Sequence, residues 1–261
     1  RTDAATVGSY SLANDIAAMP TTELLAPISR VLFPVFVDVA HDAEKLRAAF
    51  CKAIGVQSLV ALPAGVGLCM IADDAVPLLL GEHWYQTIPL IQTLALISVF
   101  SALTYSSSYV LVALGKISLQ ALTGWLELAV LAFLAIIIFP EAGAQGIAYI
   151  RLATVFLWFL MFLALVLRYI EPLRFKDFVQ HVWRPVFASG IMAIFLAAMP
   201  EFASMALIIK VLFSVVVGAV AYACSILLLW RISGCQDGAE AYVLEQLKMK
   251  DRATRWMYCA K

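Results

Sequence analysis

The stretch Trp125-Leu126-Glu127-Leu128-Ala129-Val130-Leu131-Ala132-Phe133-Leu134-Ala135-Ile136-Ile137-Ile138-Phe139 closes the segment 117–139, in which Glu127 is the one charged side chain. A helix must run for roughly 20 apolar residues to cross about 30 Å of hydrocarbon, and this segment meets that length with a single charged exception. Working outward from it, similar runs recur along the whole chain. The 261 residues are 63% hydrophobic and 14% charged, with 18 Lys+Arg balancing 18 Asp+Glu and a mean hydropathy of +0.92. Soluble domains carry about 25% charged residues, so this composition calls for a lipid-facing exterior. An all-α, polytopic membrane helix bundle is the expected fold class.

Seven spans are predicted, at about 8–36, 51–72, 86–113, 117–139, 144–169, 183–199 and 203–230, in a membrane domain of residues 1–231 followed by a tail over 232–261. The links between them alternate in charge. Lys45, Arg47 and Lys52 follow the first span, Lys116 the third, and Arg168, Arg174, Lys176 and Arg184 the fifth. The tail adds Arg231, Lys248, Lys250, Arg252, Arg255 and Lys261. The intervening links offer Asp73, Asp74 and Glu82, then Glu141, then Glu201, with no Lys or Arg. The positive-inside rule assigns the first set to the cytoplasm, which puts the C-terminus inside and the N-terminus outside. The chain starts at Arg1 without an initiator Met, and an outside start suits a protein whose preceding part is missing. The tail holds a short amphipathic pattern, Ala241, Val243, Leu244 and Leu247, read as a cytoplasmic surface helix.

Several function classes fall away. Zero net charge without a basic tract excludes a nucleic-acid partner. Cys51, Cys69, Cys224, Cys235 and Cys259 form no C-x-x-C pair, so no metal and no cofactor is expected. There is no G-x-S-x-G, no phosphate-binding G-x-x-x-x-G-K-[ST] and no H-E-x-x-H, and the acidic links are too short for a catalytic domain. The chain is read as no enzyme, and ATP hydrolysis by it is excluded. Function must then lie among the helices.

The polar residues concentrate in the first span, from Gly8-Ser9-Tyr10-Ser11-Leu12-Ala13-Asn14-Asp15 through Met19-Pro20-Thr21-Thr22-Glu23 to Pro27-Ile28-Ser29-Arg30. At about 100° per residue Asp15, Glu23 and Arg30 fall near 0°, 80° and 60°, on one side of the helix. Two readings compete. In one, Arg30 snorkels to one interface, Asp15 lies at the other and only Glu23 is buried. In the other, this face lines a water-filled cavity in which Arg30 attracts an anionic head group, with Asn14, Asp15 and Glu23 beside it and the deep Glu127 contributing from the fourth span. An ionisable group at a helix centre costs at least about 2.5–3.5 kcal/mol, and Pro20 and Pro27 free backbone groups that favour a hydrated cavity. Lys210 and Arg151 are read as interfacial or paired. Tyr105-Ser106-Ser107-Ser108-Tyr109 suits helix packing first and sugar hydroxyls second, and Ser214 with Gly218 forms a weak small-residue contact.

Order and spacing carry a family resemblance. Gly8-x-Tyr10-Ser11-Leu12-Ala13 precedes Arg30-Val31-Leu32-Phe33-Pro34-Val35-Phe36, and Pro63-x-Gly65-x-Gly67-Leu68 leads to Leu78-Leu79-Leu80-Gly81-x-x-Trp84. Pro89-Leu90-x-Gln92-x-Leu94-Ala95, Ala113-Leu114-Gly115-Lys116 and Gly143-x-x-Gly146-x-Ala148 continue the register. Over residues 7–170 the chain resembles the polysaccharide and lipopolysaccharide flippases of the multidrug/oligosaccharidyl-lipid/polysaccharide exporter superfamily. That resemblance implies the C-terminal lobe of a two-lobed transporter in the bacterial cytoplasmic membrane, with the N-terminal lobe of the same chain missing. It implies an undecaprenyl-diphosphate-linked oligosaccharide as substrate and membrane lipid as surroundings, an ion or proton gradient as the energy source, and Arg30 as the anion contact. The alternative reading is a cation-coupled multidrug or small-molecule exporter of the same superfamily.

Overall fold

The computed structural model describes residues 4–199 and 206–233, and their side chains except at 4–6 and 138–142. Among the described residues, seven α-helices account for most of the structure. They are α1 (Ala4–Val39), α2 (Ala43–Leu80), α3 (Ile88–Ala113), α4 (Ile117–Ile137), α5 (Gly143–Tyr169), α6 (Phe175–Ala197) and α7 (Leu207–Ile232), with a 3₁₀ turn at Glu82–Thr87 before α3. Helical geometry runs on from α4 towards α5 until Gly143, whose φ of 60° and ψ of −161° break it. Six helices are long and apolar enough to cross a membrane. The seventh, α1, spans 36 residues, about 54 Å at 1.5 Å per residue, but Asp15, Glu23, Arg30 and Asp38 leave it no sufficiently apolar window.

Two helices differ from their sequence reading by about eight residues at an end, for identifiable reasons. α2 begins at Ala43, inside the charged link, because Asp42 caps it by accepting from the Lys45 amide at 3.1 Å, and the Lys45 ammonium 3.0 Å away holds the Asp42 carboxyl below its usual range. It also continues past Asp73 and Asp74 to Gly81, a glycine at φ 91° that starts the 3₁₀ turn. α6 starts eight residues before the expected 183 because Asp177 accepts from the Arg174 amide at 2.9 Å, closing a capping box. α3 ends on Gly115, at φ 72°, with the Lys116 amide donating to Leu111 and the Gly115 amide to Val112, a Schellman closure.

α2 is the central column, packed against α1, α3, α6 and α7, and α5 packs against α3 on the far side. Phe36, Phe50, Ile54, Leu111, Val166 and Ile170 fill one core where α1, α2, α3 and α5 converge. A second core is built from small residues, Ala13, Ala17, Ala72, Ala95 and Ala148, with Ile91 and Leu94. Small side chains let membrane helices approach closely where no hydrophobic force drives them together. Gly65 is the tightest contact, since a Cβ there would overlap the Val99 side chain and lie 3.1 Å from the Ala95 carbonyl oxygen. Gly218, part of the weak small-residue pattern, meets Leu196 of α6.

Polar groups tie the columns together. Pro63 cannot donate to the Leu59 carbonyl, and the Tyr222 hydroxyl of α7 donates to that oxygen at 2.9 Å instead. Arg47 of α2 grips Asp177 of α6 through Nε at 3.1 Å and Nη2 at 2.9 Å. Near the other end of α2, Lys210 of α7 pairs with Asp74 at 2.7 Å, so Lys210 is paired, as one sequence reading had it.

Candidate functional site

Between α1, α3 and α5 lies a cavity of about 500 Å³. α1 supplies Asn14, Thr21, Thr22 and Ser29, α3 supplies Ser98, Ser101, Tyr105 and Tyr109, and α5 supplies Arg151, the one charged group on the wall. Four of the hydroxyls are already committed as donors. Thr21 and Thr22 donate to the Ala18 carbonyl at 2.9 and 3.0 Å, Ser29 to Leu25 at 3.0 Å and Ser98 to Leu94 at 3.0 Å. Each hydroxyl oxygen keeps acceptor lone pairs after that bond, so the wall offers acceptors to whatever enters.

Arg151 enters this cavity from a second one. A space of about 610 Å³ between α1, α4 and α5 is lined by Tyr10, Glu127 and Arg151 among apolar side chains. The Arg151 guanidinium bridges the two, with Nη1 donating to the Tyr10 hydroxyl and to Asn14 Oδ1, both at 3.2 Å. Tyr10 and Asn14 sit one helical turn apart on α1 and therefore share a face. Two acceptors one turn apart orient the guanidinium at the junction.

The structure divides the residues proposed from sequence. Asn14 lines the first cavity and Glu127 the second. Asp15, Glu23 and Arg30 are exposed and belong to neither; Glu23 is not buried as the snorkelling reading expects. Their stripe is turned roughly a third of a revolution from the cavity-lining stripe of α1, by the 100° helical step. Pro20, Pro27 and Pro34 release the carbonyls of Ile16, Glu23 and Arg30 from the helical ladder, and those carbonyls fall on the same charged stripe. Arg151, read from sequence as paired or interfacial, also lines both cavities. Nothing local marked it, because its partners are 137 and 141 positions away.

The hydroxyl-rich segment of α3 packs as expected and also lines the first cavity. Ser106 donates to Gln57 of α2 at 2.6 Å, both side chains fully buried, and Ser108 accepts from Gln120 of α4 at 2.5 Å. Tyr105 and Tyr109 face the cavity. The serines pack and the tyrosines line.

Comparison with known proteins agrees with this architecture. Residues 1–89 match the sequence family described as "Polysaccharide biosynthesis protein". The chain is 33% identical over 117 residues, 45% of its length and 24% of the relative's, to the lipopolysaccharide biosynthesis protein WzxC of Escherichia coli (strain K12). It is 24% identical over 221 residues, 83% of its length and 45% of the relative's, to the teichuronic acid biosynthesis protein TuaB of Bacillus subtilis (strain 168). The chain spans less than half the length of these curated relatives. Its fold is that of the lipid II flippase MurJ in its inward closed conformation, with a TM-score of 0.70 at 14% identity over 88% of this chain and 48% of that one.

Proposed function

We propose that this chain forms one lobe of a transporter that turns a lipid-linked oligosaccharide from the cytoplasmic to the outer leaflet of the bacterial cytoplasmic membrane, its C-terminus on the cytoplasmic side. The observation that carries the reading is the α1/α3/α5 cavity, where one cation, Arg151, stands over a wall of hydroxyl acceptors. A diphosphate is recognised by a guanidinium through parallel N–H···O bonds, and sugar hydroxyls donate to such oxygens. Relatives named for lipopolysaccharide and teichuronic acid biosynthesis support the substrate class.

The charged stripe of α1 extends this reading. Asp15, Glu23 and Arg30, with three carbonyls freed by proline, form a face unsuited to lipid, and a companion lobe across a hydrated lumen would satisfy it. Arg30 is then a second cation on the path of the head group, with Asp15 and Glu23 setting the charge around it. Alternating access would rock this face against that lobe. The work is transport, with no covalent step.

The test is complementation in a flippase-deficient bacterium by the full-length protein, at matched membrane abundance. Arg151→Ala is expected to cut surface polymer at least about tenfold, the worth of one charge-assisted contact, with Arg151→Lys recovering part of it. Full polymer with Arg151→Ala would reject this cavity as the diphosphate site.

A further inference from the structure

The second cavity has a chemistry that the first lacks. Its wall is mostly apolar, from Val7, Leu128, Leu131 and Ile147, yet among the described residues it carries one anion and one cation, Glu127 and Arg151. Among the described residues these two form no ion pair. Arg151 engages only Nη1 with Tyr10 and Asn14, which leaves its Nε–H and both Nη2–H donors facing outward from that anchor. Opposite charges held apart in an apolar space carry a desolvation cost that a ligand bearing the complementary pair would remove.

Access is lateral. Gly124 and Leu128 of α4 line the cavity and are also exposed, and α4 presents Leu122, Trp125 and Leu126 outward beside them. A helix so apolar and so exposed faces hydrocarbon chains. We propose that this cavity binds a zwitterionic phospholipid with a primary ammonium, its phosphate on Arg151, its ammonium on Glu127 and its acyl chain along Leu128, Leu131 and Ile147. Glu127 disfavours a purely anionic head group by like-charge repulsion. A quaternary ammonium has no N–H to give the carboxylate and would need aromatic faces, of which the wall has only Tyr10. The lipid phosphate and the diphosphate of the proposed substrate would compete for the same Nε–H and Nη2–H donors, so the lipid would occupy the site between transport events.

The experiment is phospholipid binding to the purified full-length protein, measured by native mass spectrometry with phosphatidylethanolamine, phosphatidylglycerol and phosphatidylcholine of matched chains. Phosphatidylethanolamine is expected to bind about tenfold tighter than either of the others, the worth of one charge-assisted bond. Glu127→Gln is expected to erase that preference, and Arg151→Gln to weaken all three lipids. Phosphatidylglycerol binding as well as phosphatidylethanolamine to the unaltered protein would overturn the proposal without any variant. So would a preference that survives Glu127→Gln in protein with an unchanged melting temperature. Polysaccharide transport enters none of these readouts, so the lipid site and the transport reading fail separately.

Discussion

Arg151 illustrates how a membrane charge acquires meaning from its neighbours. By insertion energetics alone it resembles Lys210, one long cation in an apolar helix, yet Lys210 ends on Asp74 at 2.7 Å while Arg151 ends on two neutral oxygens at 3.2 Å. A cation satisfied by a carboxylate is structural, whereas one held by neutral acceptors keeps its charge available to a ligand. Tyr10→Phe removes one of those acceptors without altering charge. We expect it to lower polymer output several-fold less than Arg151→Ala does, measured by complementation at equal abundance. Asn14 was legible from sequence as a polar group in a polar helix, and so was Glu127 as a deep carboxylate. Arg151 was not, because a pairing across 137 positions leaves no trace in local spacing.

Among the elements, α2 departs furthest from its apolar run, and the departure is physical. Hydropathy sees the stretch that faces hydrocarbon, but Asp42 capping and the Arg47–Asp177 pair extend the helix into a charged link that a window average discards. The same blindness hid the start of α6. Within α2, two sites test the packing. Gly65→Ala would drive a methyl into Val99, costing about 1–3 kcal/mol as overpacking does, and Gly65→Ala with Val99→Ala should recover most of the lost melting temperature in detergent. Tyr222→Phe leaves the Leu59 carbonyl with neither a helical nor a cross-helix donor, for an expected loss of about 0.5–1.5 kcal/mol in the same assay. The 100° arithmetic places the α1 charges on one side of the helix. Which neighbours that face would meet depended on the rotation of α1 about its own axis, and periodicity does not specify that angle.

On the scale of the whole molecule, the chain alternates direction helix by helix, so Arg47, Lys116, Arg168 and Arg174 gather at one end and Asp74 and Glu82 at the other. The cation of Lys116 stands 5.3 Å from the Tyr169 ring centroid, at the end that also holds the Arg47–Asp177 pair. In a cysteine-free background, Lys116→Cys is expected to resist a membrane-impermeant maleimide in intact cells and His83→Cys to react with it; the reverse pattern would invert the proposed orientation. The two ion pairs, Arg47–Asp177 and Asp74–Lys210, clamp α6 and α7 to opposite ends of α2. Asp74→Lys alone should lower membrane abundance, and Lys210→Asp added to it should restore much of the loss, because the pair rather than either charge is what the packing uses.

The committed hydroxyls of Thr21, Thr22, Ser29 and Ser98 have a consequence for what the chamber would welcome. A hydroxyl free to rotate gives or takes a proton as its guest requires, whereas one pinned to its own backbone only accepts, and from a fixed direction. Under the proposed function these four oxygens would favour a guest rich in O–H donors and repel a bare anion. Charge recognition would then fall to Arg151, and adaptability to the phenols of Tyr105 and Tyr109.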